Sequence, residues 1–284
     1  MSVSAQKLDT SPPVGIYTGV ENDAYHSGPG VSKSGLWKLY TQSPAHFRFA
    51  ERKDTTAFDF GTACHTAILE PEHFEARTMK GPPDRRGNNW KDAMAEATNT
   101  GRTLLTSGDY EKVMTIRDAV HADAWLNALI VSPHSRVENS AYWIDEETGV
   151  LCRSRPDLYR DDLGIMVDVK STASAHPDAF ARSVVNYGYH AQEAWYSAGH
   201  RANGKPVEGF VFLAWEKETP FVTARYELPP SIVAEGAAIM RKAIATYAEC
   251  ERANHWPGYA SEITELSFKR WSYQETQAPQ GEEA

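Results

Sequence analysis

The residues best equipped for chemistry stand close together in the middle of the chain: Arg155-Pro156-Asp157, then Asp168-Val169-Lys170. Strand formers surround Asp157 from Leu151 to Tyr159, Asp161-Asp162-Leu163-Gly164 reads as a tight turn, and Ile165 to Lys170 reads as a second strand. Pairing across that turn brings Asp157 beside Asp168. Side chains alternate along a strand, so Asp168 and Lys170 project to one side. Mg2+ takes oxygen ligands and keeps several waters, so two carboxylates suffice to hold it against a phosphate. Such a cation polarises a phosphoryl oxygen and helps generate hydroxide, while a nearby lysine orients the water or offsets developing charge. By itself, Asp-x-Lys in a strand is more often a solvated pair. Pro156 strengthens the case, because a proline beside a buried strand needs a structural reason.

Other elements must position these groups. Phe60-Gly-Thr-Ala-Cys-His65 continues to Glu70 as a small-residue helix that ends before Pro71. A helical segment from about Pro177 to Ala202 carries Gln192 and Tyr196, four apart and therefore on one face. A strand from Val137 to Ile144 opens next to Glu138. Taken singly, His65 reads as a core histidine, Gln192 and Tyr196 as a packing pair, and Glu138 as an exposed acid.

Taken together and in this order, the series resembles the RecB-like branch of the PD-(D/E)XK nucleases. It is closer still to the exodeoxyribonuclease VIII (RecE-type) catalytic domain of phages and prophages. The resemblance rests on Phe60 to His65, Leu69-Glu70-Pro71, Tyr142-Trp143 with Thr148-Gly149, Cys152 to Asp157 and Asp168-Val-Lys-Ser171. The opening Ser32-Lys-Ser-Gly-Leu36 and Ser43-Pro-Ala-His46 belong to it too, and it spans roughly residues 15 to 255.

This resemblance implies a mixed α/β fold of the α+β kind, with a restriction-endonuclease-like core: a central mixed sheet flanked by helices. A helical part at about 15–130 precedes a catalytic core at about 131–255, in one domain from 15 to 276. It implies that His65, Asp157 and Asp168 bind the metal, with the Val169 carbonyl as a further ligand. Lys170 positions or activates the attacking water, Glu138 helps through water or a second metal, and Gln192 and Tyr196 contact DNA or brace the site. The implied activity is a Mg2+-dependent exonuclease, with Mn2+ able to substitute, that degrades linear duplex DNA 5′-to-3′. The 3′ single strand left behind would pass to a RecT-like annealing protein, and the enzyme would be a ring-shaped homo-oligomer. The rival readings are a single-strand or structure-specific RecB-like nuclease and a non-catalytic DNA-binding recombination accessory. Some RecB-like nucleases hold an iron–sulfur cluster on four cysteines; Cys64, Cys152 and Cys250 are three and far apart, so no cluster is expected.

Composition fits a soluble intracellular enzyme, and the resemblance implies the cytoplasm of a bacterium or phage-infected cell. The chain has 284 residues, 41% of them apolar, and no run long enough to span a bilayer. Met1 to Pro13 is polar without the apolar stretch of a secretory signal, and residues 1–14 and 277–284 are expected to be disordered. Scattered cysteines suit a reducing compartment. A net charge of −9 excludes an overall basic nucleic-acid binder but allows a basic channel among acidic faces. Lys80 to Lys91 forms a basic, Gly/Pro-rich loop with one aromatic. Arg85, Arg86 and Lys91 are placed to meet phosphates and Trp90 to stack an end base. The other reading is a solvated loop with Trp90 packed on the following helix. Arg153 and Arg155 alternate on the strand leading to Asp157, to meet the DNA backbone or to pair with Asp157, Glu138 or other acids.

The expected element order in the core is helix, strands near 136–145, 150–160 and 165–171, helix, then a strand at Gly209 to Glu216. A long helix is expected from Ser107 to near Ile130. Ser32 and Ser43 read as helix caps, and Pro229-Pro230 opens a helix to about Ala253 that packs on the sheet. The late aromatics Trp256, Tyr259, Phe268, Trp271 and Tyr273 are expected to cover the core.

Overall fold

The structure is a computed structural model that describes residues 14–51, 56–259 and 262–266. Its first part runs β1 (Gly15–Tyr17), α1 (Asn22–Ser27), β2 (Val31–Ser32), α2 (Lys33–Thr41), α3 (Pro44–Phe49), α4 (Thr56–Leu69) and α5 (Pro71–Arg77). It continues with β3 (Thr78–Lys80), α6 (Gly87–Thr100), β4 (Thr103–Leu105), α7 (Ser107–His121) and α8 (Ala124–Ile130). Then follow β5 (Ser135–Val137), β6 (Ser140–Ile144), β7 (Leu151–Ser154), β8 (Leu158–Arg160) and β9 (Ile165–Thr172). The last elements are α9 (Pro177–Tyr187), α10 (Tyr189–Ala202), β10 (Gly209–Glu216), β11 (Thr223–Tyr226) and α11 (Pro230–Ala253).

Local chemistry sets many of these boundaries. The Ser32 hydroxyl accepts the Gly35 N–H and the Ser43 hydroxyl accepts the His46 N–H, and Pro44 opens α3 where its missing N–H costs nothing. The helix expected over Ser107 to Ile130 is instead two. Asp123 breaks it, because its carboxylate caps α8 through the N–H groups of Trp125 and Leu126. The segment from Pro177 to Ala202 is also two helices, separated at Gly188, whose φ of 66° is left-handed.

The strands expected at 136–145 and 150–160 are each broken in the middle, and at the same level. Their outer halves, β6 and β7, pair with β1 and β2 in a four-stranded sheet ordered β1-β6-β7-β2. Their inner halves, β5 and β8, edge a five-stranded sheet ordered β11-β10-β9-β8-β5. Pro156 sits at this crossing, where its lack of an N–H ends the ladder. Opposite it, Glu138 takes a left-handed φ of 48° and donates its N–H to the Asp157 carbonyl. Glu138 therefore stands at a kink between two strands rather than at the start of one.

In the five-stranded sheet β9 pairs antiparallel with β8 and parallel with β10, which returns after α9 and α10. Alternation along β9 divides the core. Val167 and Val169, with Leu158, Leu213 and Trp215, pack against Ile68, Val113, Ile116 and Leu126 of α4, α7 and α8. Met166 faces the other way, with Phe210, Phe212, Phe180 and Val184 on the α9 side. Fully burying each such aliphatic side chain contributes about 1.5–3 kcal/mol.

The third cluster joins the small sheet to the last helix. Met240, Ala243 and Ile244 of α11 meet Leu36 of α2, Trp195 of α10 and Trp143 and Cys152 of β6 and β7. The closest approach of α11 is to α10, where a Cβ on Gly236 would lie 2.3 Å from the His190 carbonyl oxygen. Trp256 stacks on Phe47 and Tyr259 lies near His46, closing over α3. Phe268, Trp271 and Tyr273 lie outside the described residues, as do 1–13 and 277–284. Among the described residues no helix is long and apolar enough to cross a membrane.

Candidate active site

The register of β8 on β9 places Leu158 opposite Val167, so the preceding Asp157 stands across from Asp168. The Val169 N–H donates to Asp157 Oδ2 at 2.6 Å, locking the carboxylate against the neighbouring strand. Asp168 is only 1% exposed, in the fully buried centre of β9. A charge there must be paired. Gln192 of α10 donates its amide Nε2–H to Asp168 Oδ1, and the Lys170 ammonium pairs with Oδ2. Lys170 also lies 4.9 Å from the centre of the Tyr189 ring.

The electrostatics follow from this crowding. Burial and the charge of Asp168 raise the pKa of Asp157, against the pull of His65, Lys170 and the Val169 N–H. Burial works against the Lys170 ammonium, but Asp168 and Asp157 outweigh it and hold its pKa above the ordinary lysine value. Burial also pushes the Tyr196 hydroxyl well up, with Asp168 and Asp157 among the charges acting on it.

His65 of α4 approaches from the other side of the sheet, with Nδ1 3.7 Å from Asp157 Oδ1. It lines a cleft of about 720 Å³ that also presents His26, Glu70, Arg77, Glu138 and Ser171. The structure thus brings together Asp157, Asp168, Lys170, Gln192 and His65, with Val169 between the carboxylates. Tyr196 sits one turn further along α10, within electrostatic reach, and Glu138 opens onto the cleft.

Among the described residues, no three His, Cys, Asp or Glu side chains converge on one point as arranged. Asp168 is turned toward Gln192 and Lys170, and His65 toward Asp157. The donor set nevertheless fits a hard divalent cation: two carboxylates face each other, and the Asp157–Asp168 repulsion is what an intervening cation relieves.

Arg153 and Arg155 are engaged with the protein itself. The Arg153 guanidinium is spent on the carbonyls of Tyr25, His26, Gly28 and Pro29, closing the end of α1. Arg155 donates to Ser140 Oγ and the Val20 carbonyl, lies 3.7 Å from Glu138 and covers the Tyr25 ring. Both are buried. Arg85, Arg86, Trp90 and Lys91 do not line the cleft; the nearby wall is made by Arg77, Thr78, Gly101 and Thr103. Trp90 packs beside Gly81 at the start of α6, and Arg85 lies over its ring and 3.5 Å from Asp109. Cys64 and Cys152 are buried, their thiols pushed up to about 12 by burial.

Sequence alone assigns no role to Lys33 or Tyr189, which the fold brings to the Lys170 side of the site. Lys33 lies in the Ser32-Lys-Ser-Gly-Leu36 block of the resemblance, but a lysine in the first turn of a helix defaults to solvent, so nothing in its type marks it as buried.

The family model described as "PDDEXK-like domain of unknown function (DUF3799)" matches residues 36–267. No curated protein matches the sequence. Among solved structures, the "Putative exonuclease" from Eubacterium rectale is similar, with a TM-score of 0.61 at 14% identity, covering 89% of this chain and 97% of that one. At that identity the likeness concerns the fold alone. A phage related exonuclease from Haemophilus somnus gives a TM-score of 0.35 at 12% identity, covering 79% and 96%, which carries no argument. The family match over most of the sequence, with a mixed sheet that sets Asp157 against Asp168-Val-Lys170, identifies the chain as a member of the PDDEXK-like family DUF3799, within the PD-(D/E)XK nuclease fold.

Proposed function

We propose that the protein is a divalent-metal-dependent deoxyribonuclease that degrades linear duplex DNA from its ends, 5′-to-3′. The observation that carries this reading is the facing pair Asp157 and Asp168 with Lys170 on the same side of β9. Two carboxylates and a lysine on one strand pair suit metal-assisted phosphodiester hydrolysis. Asp157, Asp168, His65 and the Val169 carbonyl would hold the cation, which supplies polarisation of the phosphoryl oxygen and a hydroxide at neutral pH.

The chain's own residues do the rest. Gln192 fixes the orientation of Asp168, and the Val169 N–H fixes Asp157. Lys170 stays charged at working pH, so it orients the attacking water and offsets the negative charge that builds on the phosphate. His65, Glu138 and Arg77 line the open side, where the strand enters. The resemblance to RecE-type enzymes supports the 5′-to-3′ direction, a ring-shaped homo-oligomer and hand-over of the 3′ strand to an annealing protein.

The test is digestion of linear duplex DNA labelled separately at each 5′ and 3′ end, with Mg2+ or EDTA, beside a covalently closed circle. Early Mg2+-dependent loss of the 5′ label with the circle intact is the expected result. Loss of the 3′ label first would reverse the direction, and cutting of the circle would make the protein an endonuclease. Binding without cleavage would make it an accessory factor.

A further inference from the structure

Lys33 is a buried ammonium with most of its donors unused. It opens α2 yet is only 8% exposed, walled on one side by the Trp37 ring at 5.2 Å. Its Nζ donates to the Tyr187 carbonyl at 2.7 Å, and among the described residues that is its hydrogen bond. No carboxylate of the described residues lies within ion-pair distance of it, although an ammonium has three donors and a buried charge ordinarily carries a counter-ion.

The turn it holds is tightly fixed. Gly188 follows Tyr187 with a left-handed φ, and a Cβ there would meet the Trp37 ring at 2.6 Å. Tyr189, next in the chain, lies against Lys170. Lys33 and Lys170 thus flank one short turn. Burial and the charge of Lys170 lower the Lys33 pKa to about 7, while Asp168 opposes them, which places all three groups in one electrostatic neighbourhood.

Lys33 and Lys170 therefore lie on either side of the turn at Tyr187 to Tyr189, and Lys170 already has Asp168 as its counter-ion. What Lys33 lacks is an anion, and it is held where one can be used. A simple structural tether would not need a charge: any neutral donor would serve the Tyr187 carbonyl at less desolvation cost.

We propose that Lys33 is a second active-site lysine, which binds an oxyanion of the substrate's phosphodiester backbone beside the phosphate handled by Lys170. This inference rests on the deoxyribonuclease reading. It assigns Lys33 to binding and positioning, with no part in bond cleavage itself.

The experiment measures binding of the full chain to linear duplex DNA in EDTA across a range of KCl, with melting temperature recorded for each variant. Lys33→Met should weaken binding at low salt by roughly tenfold. It should also make the slope of log Kd against log salt shallower by about one, because one phosphate contact is lost. Lys33→Arg should restore the slope. Lys33→Gln keeps a donor for the Tyr187 carbonyl and should show the same shallower slope, which covers the case in which the methionine variant fails to fold. A lowered melting temperature with an unchanged slope would make Lys33 a structural tether and overturn the proposal, as would unchanged affinity and slope in Lys33→Met. If the wild-type chain binds no DNA, the nuclease reading falls and the Lys33 assignment falls with it; wild-type binding with indifferent Lys33 variants removes the assignment alone.

Discussion

The two sides of the Asp157–Asp168 pair are built differently. On the α10 side everything is buried: Asp168 is held by Gln192 and Lys170, Lys170 rests against Tyr189, and Lys33 donates to the Tyr187 carbonyl with donors to spare. On the α4 side the groups are partly exposed and loosely engaged. His65 is 3.7 Å from Asp157, Glu138 is 3.7 Å from Arg155, and both face a cleft of about 720 Å³. A site that must discriminate charge needs fixed dipoles and ions, which only a packed interior holds in place. A site that must admit a cation and a polymer needs an open wall. β9 separates the two tasks because alternate residues point to opposite faces of the sheet.

The largest effect is expected where the two sides meet. Asp168→Asn keeps the shape and the Gln192 contact but removes the charge that faces Asp157 and Lys170. Cleavage should fall by roughly a thousandfold or more, the scale of several kcal/mol of lost charge stabilisation. The fold should survive, because a neutral amide costs less to bury than a carboxylate. Steady-state cleavage rates and a thermal melt check both halves. An active Asp168→Asn enzyme would place the chemistry away from Asp168.

A paired substitution then sharpens the contrast between the sides. Gln192→Ala strips a hydrogen bond from a buried charge and should destabilise the fold by about 1–3 kcal/mol, with a matching loss of rate. His65→Ala changes a residue whose side chain is 30% exposed, so stability should shift by no more than about 0.5 kcal/mol. Its signature is instead a rise of about tenfold or more in the Mg2+ concentration giving half-maximal cleavage. Melting curves and Mg2+ titrations of both variants decide the matter. Equal loss of stability in both would mean that the α4 side is as much a part of the scaffold as the α10 side.

The sequence made the centre of this site readable and its surroundings much less so. Asp161 to Gly164 as a tight turn fixes the β8–β9 register, and the Gly164 φ of 65° is what a glycine there provides. Gly209 to Glu216 is a strand with the expected limits because both its faces are apolar. The bend shared by Glu138 and Pro156 was half legible. Proline announces an end to a ladder, but nothing in a glutamate announces a left-handed backbone. The break at Gly188 carried a signal, since a glycine inside a helical stretch is a candidate terminus. The burial of Arg153, Arg155 and Lys33 carried none. Each is hidden by contacts with α1 or with the turn after α9, far away in sequence.

The smallest expected effect concerns which cations the DNA strand passes. Arg77 ends α5 on the wall of the cleft, half-exposed and paired with Glu70. Arg85 lies in the Lys80 to Lys91 loop, away from that wall, over the Trp90 ring and near Asp109. Both pairs are exposed enough for solvent to screen them, so neither holds the fold together. The difference lies in position relative to the carboxylates. Arg77→Ala should raise the KM for linear duplex a few-fold, the cost of about one exposed phosphate contact, with kcat unchanged. Arg85→Ala should leave both constants within about twofold. KM and kcat measured for the two variants at one salt concentration give the answer. A larger KM effect from Arg85 would route the strand along the basic loop and α6 instead of the α4–α5 wall. It would also make Trp90, packed at the foot of that loop, part of the path.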